Sequence, residues 1–168
     1  IYTRILAYLM LLLFSLLLVA SIPKVQTYFG FLATKKINNK FGTNIKVEKV
    51  GLQFNGDVEL KNILIKDYKN DSLISIKELN SSVLRFVNIF NNKFIFGEIN
   101  IYGLFFNIKT YKGDVSTNLD IFANKFKKNR IKPSNLFKLS STKLTLRDSY
   151  LKLSNENKCT LIDIREKS

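Results

Sequence analysis

The stretch from Ile5 to Ile22 constrains this chain more than any other, because it carries no charge between Arg4 and Lys24. At about 1.5 Å per residue a helix over it is roughly 27 Å long, close to the hydrocarbon thickness of a bilayer. A secretory signal has a shorter apolar core of about 7 to 15 residues before a small-residue cleavage site, although Val19-Ala20-Ser21 leaves such a site conceivable. A helix apolar on every side, if buried in a soluble protein, needs a large protein wrapped around it. We therefore expect an uncleaved membrane anchor over residues 1–23. No Cys stands at its end, which excludes a lipoprotein-type anchor.

The remainder is enough for one ordinary domain. The chain opens on Ile1 rather than Met and stops after a strand-like Leu161 to Ile164, so the expectation is a fragment of a longer frame. Basic residues outnumber acidic ones 27 to 13. Lys is scattered rather than clustered, and no Gly-rich loop, helix-turn-helix or aromatic RNA-binding pattern accompanies it, so no nucleic-acid partner is expected. The absence of His removes Ser-His-Asp and Cys-His catalysis and every His-ligated metal. The lone Cys159 can form no internal disulfide or thiolate zinc site, and on a strand it reads as a small buried hydrophobe. Asp57, Glu59, Asp67, Asp71, Glu78, Asp114 and Asp120 fall mostly at turns, and no pair converges with a base or nucleophile by spacing. No enzyme, cofactor or metal is expected.

Pro23 marks a bend after the span. From Lys24 to Phe41, Val25, Tyr28, Phe29, Leu32, Ala33, Ile37 and Phe41 recur at helical spacing, with Gln26, Thr27, Lys35, Asn38 and Asn39 opposite and Gly42 as a stop. This amphipathic helix, residues 24–43 with its exit, has two available roles. It can lie in the headgroup layer, with Val25, Phe29, Leu32 and Ile37 immersed and Lys24, Lys35, Lys36 and Lys40 reaching phosphates. Alternatively its apolar stripe can plug the end of the following β-structure.

From Asn44 the period falls to two. Ile45 and Val47 are followed in opposite phase by Val50, Leu52 and Phe54, and the same figure returns in Val58-x-Leu60 then Ile63-x-Ile65. It recurs in Phe94-x-Phe96, Ile99-x-Ile101 and Leu104-x-Phe106-x-Ile108, with phase changes at Gly97 and Gly103, and again in Leu144-x-Leu146 then Leu151-x-Leu153. A one-residue shift turns side chains to the other face unless a bulge absorbs it. Ser72 to Ile76 and Val83 to Phe86 suggest two further strands, Asn118 to Phe126 a short helix, and Ile131 to Asn135 a break around Pro133. The Asn55-Gly56-Asp57, Lys69-Asn70-Asp71, Asn91-Asn92-Lys93 and Lys112-Gly113-Asp114 segments have turn chemistry. The unit of roughly 40 to 50 residues suggests an array of strand units. The fold expected is mainly β: a repetitive, curved antiparallel meander over 44–168 behind two helices.

One apolar sheet face must be buried against something. A β-sandwich or rolled sheet is the common solution, because Phe, present 14 times here, ordinarily packs in cores. An open hydrophobic groove is the other, and periodicity does not choose between them.

The order of anchor, Val25 to Phe41, Phe41-Gly42-Thr43-Asn44-Ile45 and Val50-Gly51-Leu52-x-Phe54-x-Gly56-Asp57-Val58-x-Leu60-x-Asn62-Ile63-x-Ile65-x-Asp67 resembles the N-terminus of TamB-type proteins. These belong to the AsmA-like superfamily, and the likeness is to those of Bacteroidetes in particular. Phe96-Gly97-Glu98-Ile99 to Phe106, Lys109-Thr110-Tyr111-Lys112-Gly113-Asp114 and Thr117-Asn118-Leu119 continue the pattern. The resemblance implies a single-pass inner-membrane anchor with the bulk of the chain in the periplasm and a hydrophobic β-groove. It further implies phospholipids as partners, and an outer-membrane BamA/TamA-like barrel reached through a C-terminal domain not in this sequence. The implied role is phospholipid transfer between the two membranes, outer-membrane protein assembly, or both. The groove lining it suggests is Val58, Leu60, Ile63, Ile65, Phe94, Phe96, Ile99, Ile101, Leu104 and Phe106. The alternative is a membrane-tethered structural β-domain docking a larger envelope complex without conducting lipid. The charges point the other way on topology: Arg4 stands alone before the span and Lys24, Lys35, Lys36 and Lys40 follow it, so the periplasmic assignment rests on the resemblance.

Overall fold

The computed structural model describes residues 2–53, 55–83, 93–127 and 138–166, and of residues 83, 93–96 and 138–140 the backbone alone. Helix α1, Tyr2–Ala20, is long and apolar enough to cross a membrane, and none of its residues is buried against the rest of the protein. Nothing among the described residues packs around it as a core would.

Helix α2, Pro23–Phe41, begins with Pro in its first turn, where a missing N–H leaves no helical bond unmade. It ends at Gly42, whose left-handed φ of 64° lets its N–H donate to Asn38 O at 2.8 Å. The helix lies along the outer edge of strand β1, Asn44–Leu52, but not on its apolar stripe. Its polar residues dock instead. Gln26 Nε2 donates to Leu52 O at 3.0 Å while Gln26 Oε1 accepts Leu52 N–H at 2.9 Å. Asn38 does the same for Ile45, Nδ2 to O at 2.8 Å and N–H to Oδ1 at 2.9 Å, and Thr27 Oγ1 accepts Val50 N–H at 3.3 Å. Each amide thus offers β1 the donor and acceptor that another strand would supply. The close approach needs Gly30, because a Cβ there would lie 2.4 Å from Val50 Cγ2.

This corrects the expected arrangement of α2. Gln26, Thr27 and Asn38, assigned to the solvent face, form the contact, whereas Tyr28 at 59 %, Phe29 at 61 % and Leu32 at 40 % exposure point away. Ile37 falls three turns after Gln26, beside the docked line, and is nonetheless exposed. Nor does the stripe plug the sheet; only Phe41 at its end packs inward, against Phe126 at 4.7 Å between ring centroids.

The strands are β1, then β2 Asp57–Lys66, β3 Ser72–Val83, β4 Lys93–Thr110, β5 Lys138–Arg147, β6 Ser149–Asn155 and β7 Thr160–Glu166, with α3, Asn118–Lys127, between β4 and β5. They form one open seven-stranded sheet, ordered β1-β2-β3-β4-β6-β7 with β5 also on β4. The fold is therefore mixed α/β, and no second sheet faces this one among the described residues, so the sandwich is not formed there. The meander is antiparallel only from β1 to β4 and between β6 and β7. β5 and β6 both pair parallel with β4. The α3 connection explains this departure, since a parallel return needs a crossover of a dozen or more residues. Ser72–Val83 is one strand rather than the start of two. The expected residues 84–86, the Asn91-Asn92 turn and the break at Ile131–Asn135 lie outside the described residues. Cys159 is exposed in the β6–β7 turn at φ 51°, not buried on a strand.

The phase changes of the sequence fall on one line across the sheet. Glu48, Asn62, Lys77 and Gly103 occupy matching register positions on β1 to β4, and Asp148, between β5 and β6, lies opposite Gly103. Asn62, Gly103 and Asp148 take positive φ of 52°, 65° and 48°. Register continues across the line without slipping from β1 to β4. Two contacts show that alternation is reset at the line. The β1 backbone groups turned outward to α2 belong to Ile45 before it and to Val50 and Leu52 after it, odd then even. Lys77 Nζ lies 5.6 Å from the Tyr102 ring, so a residue on the line shares a face with one in the adjacent row. The Gly97 phase change is a separate bulge, where register shifts between Ser81 and Val83.

Replacing Gly30 with Ala is expected to destabilise the α2–β1 contact by about 1–3 kcal/mol through overpacking. Adding Val50→Ala to the same chain should restore most of the loss, in a double-mutant cycle read by chemical denaturation.

Candidate functional site: an apolar sheet face ending at the α1–α2 corner

Cross-strand pairing assembles the apolar residues into rows. Ile45, Ile65, Ile74 and Phe106 stand side by side on β1 to β4, and Leu151 and Ile164 extend the row over β6 and β7. Val47, Ile63, Ile76 and Leu104 form the next row. Past the kinks come Val50, Leu60, Leu79, Ile101 and Leu146, then Leu52, Val58, Ser81, Ile99 and Leu144. The structure thus brings together Val58, Leu60, Ile63, Ile65, Ile99, Ile101, Leu104 and Phe106. The side chains of Phe94 and Phe96 lie outside the described residues.

The rows also take in residues not named as lining, chiefly Ile45, Val47, Ile74, Ile76, Leu79 and Leu146. Their alternation was visible in the sequence; their place beside the others needed the register. Exposure is graded over the rows. On β2 and β3, Ile63 and Ile76 are 8 % exposed near the α3 end, whereas Leu52 at 52 % and Leu144 at 56 % are open at the other, and Ile164 on the β7 edge is open as well.

The α3 end is closed by a polar knot. Thr117 Oγ1 accepts Asp120 N–H at 3.1 Å and donates to Asp120 Oδ2 at 2.7 Å, a reciprocal cap that starts α3. Asn118, fully buried, repeats the device of Gln26: Oδ1 accepts Lys109 N–H at 2.9 Å and Nδ2 donates to Asn107 O at 3.0 Å, satisfying β4. Lys125 at the other end of α3 donates to Gly42 O, so α3 ties β4 to the α2–β1 junction. Asp67, 4 % exposed, accepts Lys69 N–H at 2.9 Å, Asp71 N–H at 3.0 Å, Asn118 Nδ2 at 3.1 Å and the Tyr111 hydroxyl at 2.6 Å. Four donors offset the cost of burying that carboxylate.

Burial first, then hydrogen bonds to Asp67 and Asp71, holds the Tyr111 phenol far above its ordinary value. Tyr68, whose hydroxyl donates to Asp114, is pushed up to about 12, by desolvation foremost and by that carboxylate next. Lys69 and Lys109 stand 4.3 and 4.4 Å from the Tyr111 ring, within cation–π range. Among the described residues no three His, Cys, Asp or Glu could hold a metal ion.

The opposite sheet face is polar. Lys61 pairs with Glu59 at 2.8 Å and with Glu78 at 3.8 Å, and its pKa is raised, mostly by the Glu59 hydrogen bond. Asn62 Nδ2 donates to Glu48 at 2.6 Å. A cavity of about 620 Å³ opens where this face meets the α1–α2 corner, between Ser21, Pro23, Lys24 and Thr27 on one side and Lys49, Val50, Leu52 and Lys61 on the other. On α2 itself, Val25, Phe29 and Leu32 face away from β1 in the first half, while Lys35, Lys36 and Lys40 occupy the second.

On an alkaline titration the Tyr68 and Tyr111 phenols should ionise last, read as phenolate absorbance. A raised folded-state pKa stabilises below the ordinary value near 10, and that contribution is lost as pH climbs through the folded value. For Tyr68 the window is therefore about 10 to 12. Tyr111→Phe should cost about 1–3 kcal/mol by removing a donor to buried Asp67, and should delete the latest phase of the titration.

No family model, curated protein or solved structure matches this chain.

Proposed function

We propose that this chain is the membrane-anchored entry end of a hydrophobic conduit, of the TamB-like kind its sequence resembles. On this reading α1 spans the inner membrane once and the sheet stands in the periplasm. α2 lies at the bilayer surface, with Val25, Phe29 and Leu32 in the interface and Lys35, Lys36 and Lys40 at the phosphates. The aligned kinks at Asn62, Gly103 and Asp148 would bend the sheet about that line and give a groove. Acyl chains of phospholipids moving between inner and outer membranes would rest on the apolar rows, each buried CH₂ contributing about 0.8 kcal/mol. Outer-membrane protein assembly draws on the same surface, since a nascent apolar strand needs the same cover. A BamA/TamA-like barrel would be engaged beyond this sequence.

The observation that carries the reading is the continuity of apolar rows over the sheet with no second sheet on them among the described residues. Such faces are normally covered, so the occupant is sought outside this layer. Binding without catalysis also accords with acidic groups tied into turns and ion pairs.

A photo-crosslinker placed at Ile101 or Leu60 should capture phospholipid from native membranes, and one on the polar face at Asn100 should not. Capture of protein alone at all three would replace the conduit by a tethered docking domain. Ile101→Asp should abolish lipid capture from a site at Leu60 while circular dichroism stays unchanged.

A further inference from the structure

The cavity at the α1–α2 corner has a charge pattern that the apolar face does not explain. Of the residues around it, Lys24, Lys49 and Lys61 are basic and Glu48 and Glu59 acidic, an excess of one positive charge. The acids are engaged: Glu59 with Lys61 at 2.8 Å and Glu48 as acceptor from Asn62 at 2.6 Å. Lys24 and Lys49, both exposed, make no ion pair among the described residues. Two ammonium groups that make no ion pair therefore share one cavity with the single carboxylate of Glu48, which keeps its charge while accepting from the neutral Asn62 amide, and Pro23, Val50 and Leu52 also line it.

Its position is set by the fold. Lys24 follows the end of α1 by four residues, and Gln26 binds Leu52 while Gly30 admits Val50, so the corner cannot drift from β1. Resting on the reading of α1 as a membrane span, Lys24 stands at headgroup depth. We propose that this cavity binds the phosphodiester of an anionic phospholipid, with Lys24 and Lys49 as its ligands and Pro23, Val50 and Leu52 against the glycerol. A monoanionic diester matches the single excess charge, and the site opens on the polar side of the sheet edge, meeting the apolar rows only at Val50 and Leu52.

The test uses the whole chain in detergent micelles with phosphatidylglycerol, with retained lipid counted by native mass spectrometry. One phosphatidylglycerol should remain on the protein. Lys24→Gln with Lys49→Gln should weaken retention on the order of thirty-fold, from two phosphate-proximal lysines. Lys112→Gln with Lys158→Gln removes equal charge from exposed positions at the far end of the sheet and should leave retention within about two-fold. Equal loss in both pairs would reduce the effect to general electrostatics and overturn the site, as would retention unchanged in the first. Displacement of the lipid by millimolar inorganic phosphate would assign the cavity to free phosphate and overturn the lipid. Alkali-resistant association of the same chain with phosphatidylcholine vesicles checks the anchor separately, so a failed site and a failed anchor give different results.

Discussion

An edge strand carries a row of backbone donors and acceptors that must be satisfied, and here the side chains that satisfy them determine where the helices go. Gln26 and Asn38 lie twelve positions apart on α2, more than three turns, and clamp β1 at Leu52 and Ile45 respectively. Two such clamps fix a helix in direction as well as position. Because α2 follows α1 after a two-residue break, the apolar helix α1 leaves from the edge of the sheet. Asn118 does the equivalent for β4 at the start of α3. A covered β1 also cannot recruit a foreign strand. What an amide does here, an apolar helix face cannot do, and for that reason α2 keeps its Phe and Leu residues outward.

Much of the sheet was legible because its signals are local. Pro23 and Gly42 bracket α2, Thr117 and Asp120 start α3, and alternation with phase changes marks the strands to within a few residues. The phase change at Asn62 or Gly103 could be read as a bulge from its own strand alone. That these positions align without a bulge could not, because alignment is a property of register, and register depends on which strands are neighbours. The parallel pairing of β4 with β5 and β6 was hidden for the same reason: an antiparallel return and a crossover through α3 leave the same alternation in the strands.

The misassigned residues share a different cause. Gln26, Thr27 and Asn38 sit opposite Phe29 and Leu32 and look like a solvent face, since a helix in water buries its apolar side. That inference assumes that the other environment is water. If α1 spans a bilayer, the outward face of α2 meets lipid interface, and the rule for choosing the buried side reverses. The pairing of Asp67 with Tyr111 and Asn118 crosses 44 and 51 residues and has no local mark at all, although Asp67 itself sits in a recognisable turn.

The polar knot and the open rows are parts of one arrangement. A single sheet with few buried hydrophobes, Ile63, Leu73, Ile76 and Tyr111 among the described residues, cannot rely on a large core. Hydrogen bonds at its margins therefore hold the shape: amide clamps along β1, and the Asp67 network at the α3 end. Margin-based support has a consequence that core-based support lacks. A groove whose rigidity came from filling its interior would lose function when opened, whereas one braced at edge and end can leave its apolar face free for an occupant that comes and goes. The gradient of exposure, closed beside α3 and open toward Leu52 and Leu144, then gives the face a direction, and its open end is the one where α2 begins.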